Sequence, residues 1–145
     1  MREARPSGGR RPVADFSDLE RYIRLVTADT YPAEMVVQGR CTCGGTVFRL
    51  AGDPEVGCME RTCVACGAAA YICDSADRWP SAQPTPCTCL CGATTFLAGV
   101  GFAFRADGDV MWITVGVCCT RCGLLGTPAD WKVDYTPTDH LLRQV

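Results

Sequence analysis

Twelve cysteines in a chain of 145 residues dominate its potential chemistry. Eight of them form short-spaced pairs: Cys41 and Cys43, Cys63 and Cys66, Cys89 and Cys91, Cys119 and Cys122. So many cysteines mark either a disulfide scaffold or a metal protein, and the compartment decides between the two. The opening MREARPSGGRRPVADF holds arginines but no apolar run of the signal-peptide kind, and no stretch approaches a membrane span. A cytoplasmic setting is therefore expected, where thiols stay reduced unless a metal holds them. Two short-spaced pairs brought together across a hairpin give four soft thiolates, the tetrahedral shell that Zn(II) favours and that iron also accepts. The expected ligand sets are Cys41, Cys43, Cys63 and Cys66 for one Zn2+ ion, and Cys89, Cys91, Cys119 and Cys122 for a second.

The pairs belong to an internal repeat. CTCGGTVF, beginning at Cys41, returns as CLCGATTF at Cys89, and TCVACGA, beginning at Thr62, is matched by CCTRCGL from Cys118. The offset is 48 for the opening knuckle and 56 for the closing one, so the second copy has a middle longer by eight residues. Gly44, Gly67, Gly92 and Gly123 each follow the second cysteine of a pair, where glycine allows the tight backbone that turns N–H groups toward sulfur. Of the other four cysteines, Cys58, Cys73 and Cys118 read as small buried hydrophobes. Cys87 does too, although the run C-T-C-L-C would let it exchange roles with a neighbouring ligand.

Strands and turns must position these knuckles. Gly52, Asp53 and Pro54 signal a turn in the first middle, and Asp107-Gly108 a tight hairpin in the second, so both middles read as β-hairpins. EMVVQGR leads into the first knuckle as a strand, and AAYICD leaves the second. Before them, Ser17 as N-cap with Glu20 three residues on forms a capping box, and Leu19, Tyr22, Ile23 and Val26 share one face, predicting an amphipathic helix over 17–28 that covers the sheet. Near the end, Trp131, Val133 and Tyr135 alternate with polar residues as a strand, and a short helix is expected after Thr136 and Pro137. The expected fold is a small β-rich zinc-binding one: two tandem zinc β-ribbons with an N-terminal amphipathic helix and a short C-terminal helix. Its parts are a disordered basic arm at 1–14, helix and first ribbon at 15–78, a proline-rich linker at 79–86, and the second ribbon with the terminal helix at 87–145.

Charge and the remaining motifs narrow the function classes. The formal net charge is −2, but residues 1–12 carry four Arg and one Glu, which leaves −5 for the rest. Four thiolates on a divalent ion add −2 per site, taking the metal-loaded body to about −9. Such a body repels phosphate backbones, so nucleic-acid binding is disfavoured, with the basic arm as its one support. All-sulfur quartets leave a metal no open position, the single His140 is far in sequence from every pair, and no phosphate loop, G-x-S-x-G or H-E-x-x-H motif occurs. No enzyme activity is expected.

The cysteine-glycine knuckles across residues 36–133 resemble the broad zinc-ribbon group, which implies two knuckles on a short antiparallel sheet around one structural zinc per ribbon. GRCTCGGTVF is also similar to the opening of the glutathione-dependent formaldehyde-activating enzymes, a β-rich zinc fold with labile zinc-thiol chemistry; their second element is C-x-C-x-x-C, where this chain has CMERTCVAC. The second copy, with 27 residues between Cys91 and Cys119 against 19 in the first, is similar to the redox-switch zinc centre of a heat-shock chaperone family, whose large substrate-binding domain has no counterpart here. That likeness implies zinc release on thiolate oxidation, with Cys118 as a spare thiol. The expected function is a zinc-stabilised, non-catalytic protein-binding or regulatory module whose partner is another protein rather than a membrane. Its alternatives are a nucleic-acid-binding ribbon, a thiol redox switch, or an acidic protein that neutralises a basic toxin or nuclease.

Overall fold

A computed structural model describes residues 14–145. The basic arm expected at 1–14 thus lies, apart from Ala14, outside the described residues. Helix α1 spans Phe16–Thr27, and the strands are β1 (Met35–Gln38), β2 (Val47–Asp53), β3 (Cys58–Cys63), β4 (Ala69–Tyr71), β5 (Thr85–Pro86), β6 (Phe96–Phe104), β7 (Val110–Cys119) and β8 (Leu125–Lys132). A one-turn helix α2 (Ser75–Arg78) and a 3-10 turn (Trp79–Ser81) precede β5, and a second 3-10 turn, Asp139–Arg143, stands where the terminal helix was expected. No described helix is long and apolar enough to cross a membrane.

The antiparallel sheet runs β4-β3-β2-β6-β7-β8, so both expected hairpins form and join into one continuous sheet. They join through two residue pairs only, Val47 with Leu97 and Phe48 with Phe96. Phe48 and Phe96 are repeat equivalents, so the copies are related by a local two-fold axis through that pair. The same symmetry governs the leading strands. Val37 and Gln38 of β1 pair with Val100 and Gly99 of the second hairpin, while their equivalents Thr85 and Pro86 pair with Gly52 and Ala51 of the first. Each copy therefore lends its leading strand to the other copy's hairpin. Residues 79–86, read from sequence as a proline-rich linker, end in β5, one of these exchanged strands.

The copies also share a core. Phe48, Leu50, Met59 and Ile72 of the first copy pack in one cluster with Phe96, Val100, Phe102, Ile113 and Val115 of the second. A buried carboxylate fastens the halves together. Asp74 accepts two hydrogen bonds from Arg78, at 3.0 Å each, one from Trp131 Nε1 at 2.9 Å and one from Tyr135 Oη at 2.6 Å. The alternating Trp131 and Tyr135 of the sequence are thus a core row with its polar tips satisfied. Burial pushes the Asp74 carboxyl up, but the hydrogen bonds and charge of Arg78, with Tyr135 and Trp131, outweigh it and hold the group below the ordinary carboxylate range.

Helix α1 begins earlier than its sequence predicts. Asp15 is the N-cap and accepts from the Asp18 N–H at 3.1 Å, and the Asp18 carboxylate accepts from the Asp15 N–H at 3.0 Å. A carboxylate outcompetes the Ser17 hydroxyl as a cap, because it carries charge to the positive end of the helix, and Ser17 instead donates to Asp15 at 2.7 Å. Glu20 pairs with Arg24 rather than closing a capping box. Leu19, Ile23 and Thr27 are buried against β6 and β7, while Val26, expected on that face, is exposed. Both faces of these two strands are therefore covered, and they read as almost continuously buried where β2 alternates. Gly116 makes the close approach possible: a Cβ there would lie 2.5 Å from Ile23 Cδ1 and 3.1 Å from Leu19 Cδ1.

Two outcomes follow. Gly116→Val should force α1 off the sheet and lower stability by about 2 kcal/mol, measured by chemical denaturation. Because the Asp74 pKa is depressed in the folded state, its stabilisation is present above the unfolded value of about 3.9 and lost as pH falls through the folded value. The stability gap between the native chain and Asp74→Asn should accordingly be constant near neutrality and close only in strong acid.

Candidate metal centres

Each knuckle is a turn held by its own backbone. Cys41 N–H donates to Gly45 O and Gly44 N–H to Cys41 O, both at 2.8 Å, and Cys89 with Ala93 and Gly92 with Cys89 repeat the pattern at the same distance. The closing knuckles do likewise through Gly67 N–H to Cys63 O at 2.8 Å and Gly123 N–H to Cys119 O at 3.0 Å. All four glycines take positive φ, between 79° and 93°, a conformation that a Cβ would strain, which explains a glycine after every pair.

These turns bring together all eight cysteines singled out by their spacing. Cys41, Cys43, Cys63 and Cys66 form one group and Cys89, Cys91, Cys119 and Cys122 another, with the sulfurs of each group within 4.8 Å of one another. Closest approaches are 3.5 Å for Cys41 to Cys66, 3.7 Å for Cys43 to Cys63, 3.5 Å for Cys89 to Cys122 and 3.6 Å for Cys91 to Cys119. A disulfide needs about 2.05 Å. A tetrahedron with metal–sulfur bonds of about 2.3 Å has edges of about 3.8 Å, so each quartet fits a four-coordinate thiophilic ion. In register across the sheet, Cys63 opposes Phe48, Phe48 opposes Phe96, and Phe96 opposes Cys119. One closing cysteine of each group thus stands three strand spacings, roughly 14 Å, from the other, which makes two separate four-sulfur groups flanking the two-fold axis.

The electrostatics favour one anion in each group and oppose a second. The Cys43 N–H and the Cys66 thiol hold Cys41 down to about 6. At Cys119 burial opposes ionisation, yet the Cys122 and Arg121 N–H groups and neighbouring thiols draw it down to about 7. Cys43, although it accepts from Gly45 N–H at 3.4 Å, is pushed up to about 12 by its neighbours Cys63, Cys41 and Cys66, and burial with neighbouring thiols does the same to Cys89. Each quartet thus offers a thiolate near neutral pH before a metal neutralises the others' reluctance to ionise. Cys41, Cys63, Cys89 and Cys119 are buried, whereas Cys43, Cys66 and Cys91 are exposed and Cys122 is half-buried.

The other cysteines stay out of both groups. Cys58, Cys73 and Cys118 are buried and Cys87 is half-buried beside Cys89. Cys118, next to a ligand in sequence, points to the opposite face of β7, where its thiol meets the Ala14 carbonyl at 3.5 Å under α1. Cys73, read from the sequence as a small buried hydrophobe, is a buried non-glycine residue at φ 55° whose N–H donates to Gln144 O at 2.6 Å and so ties residue 144 to the first copy. No family model matches the chain, and no curated protein or solved structure matches it.

Metal content gives the direct check. The native chain should bind two thiophilic ions, and Cys63→Ser or Cys119→Ser should each leave one, as measured by elemental analysis against protein concentration. Cys58→Ser and Cys87→Ser should retain both.

Proposed function

We propose that the chain is a zinc-stabilised, non-catalytic protein-binding module of the cytoplasm, with two Zn2+ ions as structural rather than reactive centres. The observation that carries this reading is the completeness of both quartets. Four sulfurs around each position leave no vacancy for water or substrate, and a catalytic zinc needs one. Zinc is the divalent ion best served by a four-thiolate tetrahedron without redox chemistry.

Binding to another protein is supported by the exposed apolar side chains. Leu25 and Leu90, 72% and 80% exposed, are the most exposed large apolar side chains among the described residues. They belong to two shallow depressions that share Leu125: Tyr22 and Leu25 of α1 line one, and Leu90, Leu124 and Phe96 line the other. An apolar strip bordered by polar residues is the usual character of a protein contact rather than of a phosphate-binding face. Net charge argues the same way, since the body is acidic.

The test pairs capture with a surface variant. Metal-loaded native chain, used as bait in extract from its own cells, should retain a defined protein, and the double variant Leu25→Glu with Leu90→Glu should lose it while keeping both metals and its far-ultraviolet circular dichroism. Retention by the double variant, or capture of nuclease-sensitive nucleic acid in place of protein, would contradict the reading.

A further inference from the structure

The repeat lets the two quartets be compared residue by residue, and their surroundings differ. Val47, Val64 and Ala65 of the first copy stand where the second has Thr95, Thr120 and Arg121. One backbone bond between the opening and closing knuckles is common to both copies: Val64 N–H donates to Val47 O at 3.0 Å, and Thr120 N–H to Thr95 O at 3.2 Å. The second copy adds side-chain ties. Thr120 Oγ1 donates to the Thr95 carbonyl at 3.1 Å, the two threonine hydroxyls meet at 2.6 Å, and Arg121 Nη1 donates to the Cys91 carbonyl at 3.1 Å. Valine and alanine side chains carry no group that makes such bonds.

Exposure follows the same division. Residues 64–69, which run through the first closing knuckle to the start of β4, are exposed throughout, Cys66 among them. Of their equivalents, 120–125, only Arg121 is exposed; Cys122 is half-buried, and Leu125 packs against the cluster under α1. The strand that follows each knuckle differs too, since β4 pairs with β3 through three residue pairs and β8 with β7 through six.

We propose that Cys41, Cys43, Cys63 and Cys66 form a metal-exchange site, which yields its ion to a competing ligand while the second quartet retains its own. The inference rests on the reading of both quartets as zinc centres and divides their tasks. From a full four-sulfur shell, release is a ligand substitution: a competing donor bonds to the ion as one sulfur lets go, each freed thiolate takes up a proton, and no electrons are transferred. Access and the freedom of a knuckle to swing away set the ease of that step. At the first quartet Cys43 and Cys66, one from each knuckle, are both exposed, and fewer hydrogen bonds resist the parting of the knuckles. At the second, the threonine and arginine bonds keep the knuckles together after one sulfur has left, which favours its return.

The experiment challenges the full-length chain, loaded with two zinc ions, with excess EDTA and follows metal loss by native mass spectrometry. Portions taken when one ion remains are treated with N-ethylmaleimide, and the labelled cysteines are mapped by peptide. One ion should leave at least about tenfold faster than the other, the factor that two such hydrogen bonds contribute. The one-ion species should carry its label on the first quartet, with the second protected. Thr95→Val with Thr120→Val, which places the first copy's residues in the second, should speed the slower release by at least about threefold. Val47→Thr with Val64→Thr should slow the faster one. If either pair of substitutions unfolds the chain, as seen by circular dichroism, the other pair and the native release order decide. Equal release rates, label on the second quartet in the one-ion species, or a folded threonine-to-valine variant that releases no faster would overturn the proposal. A chain that never takes up two ions removes the zinc reading itself, whereas two ions that leave together remove only this division of tasks.

Discussion

Everything in this fold is arranged around the row Cys63, Phe48, Phe96, Cys119, four residues on adjacent strands facing the same core. At each end of the row, four sulfurs must meet within a few ångströms, and only knuckles with left-handed glycines can turn the chain tightly enough to deliver two sulfurs from three or four residues. In the middle, the hairpins touch through two residue pairs, too few to hold a sheet together alone. The cysteine corners and the central phenylalanine pair therefore depend on one another. Loss of a quartet would loosen the strand that carries the adjacent phenylalanine, and with it the seam between the copies.

Strand exchange answers the problem of size. A single ribbon has too little apolar surface to offset the conformational entropy of its own ordering. By lending β1 and β5 across the two-fold axis, the copies close one core with residues from both. The symmetry is then broken on the periphery. Helix α1 seals the outer face of the second hairpin, whereas the last residues of the chain lie against the first copy through Cys73 and Arg61.

The two cysteine groups were legible in the sequence because knuckle geometry is local: a C-x-C or C-x-x-C pair followed by glycine specifies its own turn. The hairpins were legible for the same reason, through Asp107-Gly108 and the turn at Asp53. The seam was not. Nothing in the residues 85–86 or 35–38 distinguishes pairing within a copy from pairing across copies, since both satisfy the same alternation, and only the packed core selects between them. The helix cap was misplaced by two residues because Ser17 and Glu20 satisfy a spacing rule that Asp15 and Asp18 satisfy with the stronger, charged acceptor. Asp74 gave no signal either, its partners Trp131 and Tyr135 lying more than fifty residues away.

We propose that each cysteine quartet holds one zinc ion, and X-ray absorption at the zinc edge of protein purified from its own cells tests this most directly. Two zinc ions per chain, each with four sulfur scatterers at about 2.3 Å and no metal neighbour, is the expected result. Nitrogen or oxygen in the first shell, iron in place of zinc, or sulfur–sulfur bonds of about 2.05 Å would contradict it.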